Sequence, residues 1–113
     1  MIFLDYRERK IIPLLLELDD FVEITNLPVG DILIPVEDQS ILIERKSAGD
    51  FIDSIKTSRL WDQAGRIRDT DYILNYRIKR KIILIHEQIL PSILSERISW
   101  ASIFGAIQEL VYV

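Results

Sequence analysis

One stretch decides the fold prediction: Ser40-Ile41-Leu42-Ile43-Glu44-Arg45-Lys46. It contains the apolar run Ile41-Leu42-Ile43 and is predicted to form a strand, in which successive side chains lie on opposite faces. Leu42, Glu44 and Lys46 then share one face, although a strand that enters a core has little reason to place charges beside leucine. Because burial of an unpaired charge costs several kcal/mol, this face requires a counter-charge, a metal ion or water.

A second acidic residue begins the preceding predicted strand, Asp31-Ile32-Leu33-Ile34. Residues 35–39 separate the two strands, contain a proline and predict a hairpin loop. Pairing in this hairpin brings Asp31 close to Glu44. Two carboxylates on adjacent strands can bind a hard divalent cation such as Mg²⁺ through oxygen, and they leave positions for water and phosphate.

The chemistry expected of such a pair is hydrolysis of a phosphodiester. A bound metal ion lowers the pKa of its water and offsets the charge that develops on the phosphate. Lys46 can orient or help to deprotonate the attacking water, or it can hold a phosphate oxygen. Asp5, at the end of the first predicted strand, is a further candidate ligand. An acidic residue two positions before a lysine is, by itself, most often part of a surface salt bridge.

The remaining sequence predicts an α/β domain. Further strands, identified by apolar or alternating runs, are predicted at 2–5, 21–25 and 81–85, the last as a central strand covered on both faces. Helices are predicted with Pro13 in a first turn, after Ser47 as N-cap, from 58 or 59 into the seventies with Ile73 inward, and over 99–110 with Ile103, Ala106, Ile107 and Leu110 on one side. This order predicts a mixed sheet with helices on its faces.

Three motifs together resemble a known family. They are Asp5-Tyr6-Arg7-Glu8, then Gly30-Asp31, then Glu44-Arg45-Lys46-Ser47-Ala48-Gly49-Asp50. The set resembles the nuclease motif of the XPF family of structure-specific endonucleases, in which G-D and a variable gap precede E-R-K-x-x-x-D, with D-x-R-E near the domain start. Ser54-Ile55 with Arg59-Leu60, Gln63 and Arg66 is similar to the next helical stretch, so the resemblance covers almost the whole chain.

The resemblance implies a restriction-endonuclease-like fold of the PD-(D/E)XK type, with a mixed central sheet flanked by helices, in one nuclease domain spanning 1–113. It implies that Asp31 and Glu44 are metal ligands, with the Arg45 carbonyl as a third, and that Lys46 is the catalytic lysine. Other motif positions that shape or support catalysis are Asp5, Arg45 and Asp50. Residues expected to contact substrate are Arg7, Glu8, Arg59, Gln63 and Arg66.

The family resemblance also implies a substrate, a cofactor and partners. The substrate is branched DNA, such as 3′ flaps and forks, cut near the junction with Mg²⁺ or Mn²⁺ during DNA repair or replication-fork processing. The family normally forms a homodimer or heterodimer through the nuclease domain. Its tandem helix-hairpin-helix module has no counterpart here, and the family continues with another strand where this chain stops. We therefore expect a piece of a longer protein or a form that depends on a DNA-binding partner.

Several alternatives remain open at this level. The chain can be a non-catalytic dimerisation subunit, although such subunits typically have degraded motifs, or another PD-(D/E)XK nuclease such as a junction resolvase. Asp50 fits a helix-capping role as well as a catalytic one. Arg45 points away from Glu44 on an ideal strand and can instead pair with Asp5, Glu8 or Asp50. Arg59, Gln63 and Arg66 share a helix face that either follows DNA or is simply solvated.

Composition excludes some other classes. The net charge is −4, which argues against a protein that coats nucleic acid through bulk positive charge. No cysteine is present, so neither disulfides nor thiolate metal sites can form. No apolar run is long enough to span a bilayer, and the first residues lack a secretory signal. The expected location is the cytoplasm, at the nucleoid in a prokaryote, or the nucleus in a eukaryote; abundant isoleucine favours an archaeal source.

Two surface features complete the sequence predictions. The densest basic cluster contains Arg77, Lys79, Arg80 and Lys81, and it is either a DNA contact or an ordinary solvated run. The single histidine, His86, is predicted to be a packing or exposed residue rather than a metal ligand. The candidate dimer surface is the apolar side of the last helix, which comprises Ile103, Phe104, Ile107, Leu110 and Val111.

Overall fold

The computed structural model describes residues 1–18, 21–37, 39–86 and 100–112. Within these ranges the strands are β1 Ile2–Asp5, β2 Val22–Thr25, β3 Ile32–Ile34, β4 Ser40–Ser47, β5 Tyr72–Ile73 and β6 Tyr76–His86. The helices are α1 Ile12–Leu18, α2 Ala48–Lys56, α3 Arg59–Arg68 and α4 Trp100–Tyr112. The predicted start of the last helix, at Ser99, lies outside the described residues.

The six strands form one mixed sheet in the order β2-β1-β3-β4-β6-β5. β1 and β2 are parallel and are connected through α1, as parallel neighbours require a crossover. Pro13 lies in the first turn of α1, where a missing backbone donor has no cost. β3 is antiparallel to both β1 and β4, so the predicted hairpin between β3 and β4 is confirmed.

The chain divides into two compact units, each with its own apolar core. The first comprises Met1–Arg45 and Thr70–Leu84, and the second comprises Lys46–Asp69 and Ile85–Val113. Buried apolar residues of the first unit are Phe3, Leu4, Leu27, Leu33, Leu42, Ile73 and Ile78. Buried core residues of the second unit are Phe51, Ile52, Leu60, Ile103 and Ala106, with Ile55, Ile85 and Leu110 packed against them.

The approach of Gly30 to Leu42 fixes the start of β3. Gly30 has φ +80°, and a Cβ built on it would lie 2.5 Å from Leu42 Cδ1. Leu42 is fully buried and cannot retreat without disturbing the core of the first unit. Only glycine therefore fits immediately before Asp31.

The prediction of a helix running into the seventies is wrong. α3 ends at Arg68, and Ile73 lies in β5, which pairs with the start of β6. Leu74 and Asn75 connect these strands with φ +51° and +68°, the two positive values of a type I′ hairpin turn. The usual sequence signal for this turn is Asn-Gly. Leu74-Asn75 does not match it, so the sequence did not predict the hairpin.

Two burial predictions also need correction. Ile82 and Leu84 of β6 are 42% and 47% exposed, so 81–85 is not covered on both faces within the described residues. Ile103, predicted as part of an exposed dimer surface on α4, is buried instead, together with Ala106, whereas Ile107 is exposed. A continuous apolar run does not reveal which alternate residues are covered, because that depends on neighbouring elements.

None of the helices in the described part of the chain has the length and apolar character needed to cross a membrane.

We expect Gly30→Ala to destabilise the protein by about 2–4 kcal/mol, because the new methyl both strains the left-handed backbone and collides with Leu42. Urea unfolding measures the change. Gly49→Ala is the matched control: Gly49 lies in α2 with open space around its Cα, so alanine there should raise stability by about 0.5–1 kcal/mol. Equal effects of the two substitutions would contradict the packing argument.

Candidate active site

Asp31 is held between two strands by its own backbone. Its amide N–H donates to the Ile43 carbonyl at 2.9 Å, and its carbonyl accepts from the Asp5 amide at 2.9 Å. Its side-chain Oδ2 accepts a 2.7 Å hydrogen bond from the backbone N–H of Arg45. The carboxylate of Asp31 is therefore anchored on β4, at the residue that follows Glu44.

The structure brings the charges of Asp31, Glu44 and Glu8 together. Burial raises the pKa of Asp31 to about 7, and repulsion from Glu44 and Glu8 and a hydrogen bond with Glu8 act in the same direction. The hydrogen bond from the Arg45 amide opposes this rise. Asp31 therefore exchanges a proton near neutral pH, whereas an isolated aspartate is fully ionised there.

Arg45 organises two of these carboxylates at once. Its backbone amide donates a hydrogen bond to Asp31. Its guanidinium contacts Glu8 Oε2 through Nε at 2.8 Å and Nη2 at 2.6 Å. The ion pair is well shielded, with the Arg45 side chain 22% exposed and the Glu8 side chain 11% exposed. Glu8, one of the partners considered for Arg45, is therefore in contact with it.

Asp5 is fully buried, and both of its carboxylate oxygens accept hydrogen bonds. Oδ1 accepts from the Leu27 amide at 2.8 Å, while Oδ2 accepts from the Arg7 amide at 3.1 Å and from Arg7 Nε at 2.6 Å. Burial by itself would raise the pKa of Asp5, but these bonds outweigh it and hold the pKa below the ordinary value. Arg7 Nη2 also contacts the Leu27 carbonyl at 3.4 Å. Asp5 and Arg7 thus hold the backbone N–H and carbonyl of Leu27, which precedes the turn that leads to Gly30.

The remaining predicted site residues belong to the second compact unit. Lys46 lies in β4 two residues after Glu44 and is buried. Ser47 is confirmed as the N-cap of α2, because its Oγ accepts from the Asp50 amide at 3.2 Å. The Asp50 side chain is exposed.

The proposed DNA-contacting face of α3 is not uniform. Arg59 and Arg66 are exposed, and Arg59 Nε donates to Thr57 Oγ1 at 3.0 Å. Gln63 is only partly exposed, and its Oε1 is buried with no hydrogen-bond partner among the described residues. Helical spacing correctly placed the three residues on one side of α3 but could not show that the end of Gln63 turns inward.

Within residues 1–18, 21–37, 39–86 and 100–112, no group of three or more histidine, aspartate or glutamate side chains is arranged to hold a metal ion. A pair is sufficient for Mg²⁺, which commonly binds one or two carboxylates and fills its other positions with water and substrate phosphate. The carboxylates of Asp31 and Glu44 fit this mode of Mg²⁺ binding. Asp5 does not extend the set in this structure, because its oxygens are occupied by Leu27 and Arg7.

Sequence reasoning missed the contribution of Leu27. Its amide completes the hydrogen bonding of Asp5, although it lies 22 residues away along the chain. The indication in the sequence was only indirect. Leu27 lies directly before the predicted turn Pro28-Val29-Gly30 and is apolar, so it was a candidate for a buried residue with a fixed backbone. The hydrogen bond between Glu8 and Asp31 was also missed, because a turn after β1 had to bring Glu8 back to the start of β3.

The structure is a mixed α/β domain with clustered carboxylates, and comparison with known proteins gives its family. Residues 4–112 match the family model described as the ERCC4 domain. The chain therefore belongs to the ERCC4 domain family, and the predicted relationship to XPF-type structure-specific DNA nucleases is confirmed. No curated protein matches the sequence significantly.

Two solved structures show the same fold. XPF from Aeropyrum pernix is 28% identical, with a TM-score of 0.74, over 96% of this chain and 47% of that one. XPF from Aeropyrum pernix in complex with DNA is 27% identical, with a TM-score of 0.72, over 96% of this chain and 50% of that one. The predicted fold class is thereby confirmed, and the chain spans about half the length of these relatives.

The raised pKa of Asp31 predicts an unusual pH dependence of stability. The folded state binds the proton more tightly than the unfolded chain, whose aspartate has the ordinary value of 3.8. The free energy of unfolding should therefore fall as pH rises from about 4 to about 7, and Asp31→Asn should remove this loss. Urea unfolding across this range measures it. Asp62→Asn, on the exposed side of α3, is the control; a wild-type slope retained in Asp31→Asn would contradict the assignment.

Asp5→Asn should destabilise the first unit by about 2–4 kcal/mol, because Leu27 and Arg7 donate to different oxygens of Asp5 and asparagine would place an NH₂ donor against one of them. Thermal or urea unfolding measures the loss. Arg7→Gln should cost less, since it removes only the exposed partner and leaves the Leu27 bond intact. The reverse order of the two costs would show that Asp5 depends on Arg7 alone.

Proposed function

We propose that this chain is a metal-dependent DNA endonuclease that hydrolyses a phosphodiester near branch points such as 3′ flaps and forks. The observation that carries the proposal is the gathering of Asp31, Glu44 and Glu8 around a partly buried point at the motif positions of a DNA nuclease family. Mutually repelling carboxylates lower stability, so a fold that retains them gains something other than stability from their arrangement.

The residues that would hold Mg²⁺ or Mn²⁺ are Asp31 and Glu44, with the Arg45 carbonyl as a further oxygen donor. When bound, such an ion supplies a water of lowered pKa and neutralises charge on the phosphodiester. Hydrolysis forms a bond between the water oxygen and phosphorus and breaks the bond from phosphorus to one ester oxygen, which leaves as an alcohol after gaining a proton.

Each surrounding residue has a role that follows from its contacts. Lys46 orients the attacking water or holds a phosphate oxygen, because it follows Glu44 by two residues on the same strand. The Arg45 backbone N–H holds Asp31 in position through a hydrogen bond, and the Arg45 guanidinium holds Glu8 beside Asp31 through an ion pair. Asp5, predicted from the sequence as a ligand, is proposed instead to position the turn before Asp31, since both of its oxygens accept hydrogen bonds.

Support for DNA as substrate comes from the family and from the related structure that contains DNA. The preference for flaps and forks, and work in DNA repair at the nucleoid or in the nucleus, rest on the family resemblance. Because this chain spans about half of the relatives, we propose that tight binding requires a further DNA-binding module or partner.

Dimer formation through α4 is part of the same proposal, with a smaller surface than the sequence suggested. Phe104, Ile107 and Val111 are exposed, so they remain candidates for the contact. Ile103 and Leu110 were also predicted to belong to this surface, but they pack in the core of the second unit.

The test is cleavage of labelled 3′-flap, fork and linear duplex DNA with Mg²⁺ or Mn²⁺. We expect cutting near the junction that falls by about 10²–10⁴-fold in Asp31→Ala, Glu44→Gln and Lys46→Ala. Glu23→Gln is the matched control for Glu44, because Glu23 is an exposed glutamate on a strand of the same unit. A second measurement is thermal unfolding with added metal, which should stabilise the wild type but not Asp31→Ala.

Equal cutting by wild type and all variants would show a contaminating activity and would refute the site. The wild type can also fail both measurements, with no stabilisation by metal and no cutting even at high enzyme and low salt. This result would refute catalysis by this chain and favour a non-catalytic dimerisation subunit. Equal cutting of branched and linear DNA would favour another kind of PD-(D/E)XK nuclease.

A further inference from the structure

A row of basic side chains lies on one face of β6, outside the site described above. Arg77, Lys79 and Lys81 alternate along this strand and therefore share a face, which we term the β6 basic face. Arg80 lies on the opposite face with Ile78 and Ile82. At about 3.3 Å per residue the β6 basic face extends over roughly 13 Å, so it presents a line of positive charge rather than a point.

The charges of Arg77 and Lys79 on this face are available to a ligand. Arg77 and Lys79 are exposed, and neither side chain has an ion-pair partner within the described part of the chain. The protein as a whole carries a net charge of −4, so this face is a local exception. A line of positive charge complements a linear polyanion such as a DNA strand. Because the rest of the protein is acidic, its remaining surface does not attract nucleic acid.

An ordinary structural explanation also exists. β5 pairs with β6 only through Tyr72–Arg77 and Ile73–Tyr76, so from Lys79 onward no described strand covers the outer side of β6. Charged side chains, lysine above all, are a common protection of such an edge against pairing with another chain. Edge protection needs charge on β6 but has no preference for one face, since Arg80 would serve as well as Lys79.

We propose that the β6 basic face binds the phosphate backbone of a DNA arm through Arg77 and Lys79. The proposal rests on the proposed function and adds a second contact to it, in the same compact unit as Asp31 and Glu44. Phosphate contacts of this kind carry no sequence information but position the duplex, and they make affinity dependent on salt.

The test compares Lys79→Gln with Arg80→Gln, which remove one exposed positive charge each from adjacent positions on opposite faces of β6. Binding of the full chain to labelled 3′-flap DNA is measured in EDTA over a series of salt concentrations. Lys79→Gln should weaken binding roughly five- to tenfold at about 0.1 M salt and reduce the slope of log affinity against log salt by about 0.9. Arg80→Gln should change neither quantity, and Lys79→Arg should restore both.

Cleavage provides a second, independent measurement. With enzyme in excess, Lys79→Gln should need several-fold more enzyme for half-maximal rate but should reach the wild-type maximal rate, because it does not contact the reacting phosphate. Size-exclusion chromatography and urea unfolding should show the same monomer–dimer distribution and stability for Lys79→Gln and Arg80→Gln.

Three outcomes would overturn the inference. Equal salt slopes for Lys79→Gln, Arg80→Gln and wild type, in a protein that still binds and cuts DNA, would refute the β6 contact and leave the proposed function standing. Aggregation of both variants without loss of affinity would assign the charges to edge protection. A wild type that neither binds nor cuts DNA would refute the proposed function and this inference together.

Discussion

The hydrogen bond from the Arg45 amide to Asp31 Oδ2 determines where the acidic residues of this protein meet. It joins Arg45 of β4 to the residue before β3, and it is short at 2.7 Å. The same residue uses its guanidinium to hold Glu8. A single position of the chain therefore fixes two carboxylates, one through the backbone and one through the side chain. Because the backbone donor is independent of residue type, only the Glu8 contact depends on arginine.

A second layer of constraint lies beneath this arrangement. The Asp31 carbonyl accepts from the Asp5 amide, and the Asp5 carboxylate in turn fixes Leu27 and Arg7. Gly30 completes the path, because Leu42 occupies the space that a side chain there would need. The buried carboxylate of Asp5 keeps its charge through three donated hydrogen bonds, whereas that of Asp31 has fewer donors and two acidic neighbours. Two aspartates in one unit thus have opposite pKa shifts for reasons that are visible in their contacts.

Much of this could be predicted from the sequence, and the exceptions have physical causes. The strand predicted for Ile41–Lys46 and the loop that precedes it were sufficient to predict the β3–β4 hairpin and the approach of Asp31 to Glu44. Leu27 could not be predicted as a partner of Asp5, and Glu8 was only one of three candidate partners for Arg45. Turns whose geometry no local pattern specifies bring Leu27 and Glu8 to these residues. The β5–β6 hairpin was missed because Leu74 and Asn75 adopt left-handed conformations without glycine. Exposure along β6 and α4 depended on packing and not on composition.

The turn at Leu74 and Asn75 has an implication for how this sequence can change over evolutionary time. A branched, apolar residue held at φ +51° carries a cost of about 1–2 kcal/mol that glycine would not, and Leu74 is 44% exposed, so little packing offsets it. Replacement by asparagine or glycine is a single small step toward higher stability. A lineage that acquires a destabilising change elsewhere, such as an additional buried charge, can therefore regain stability at this turn without altering the acidic residues around Asp31.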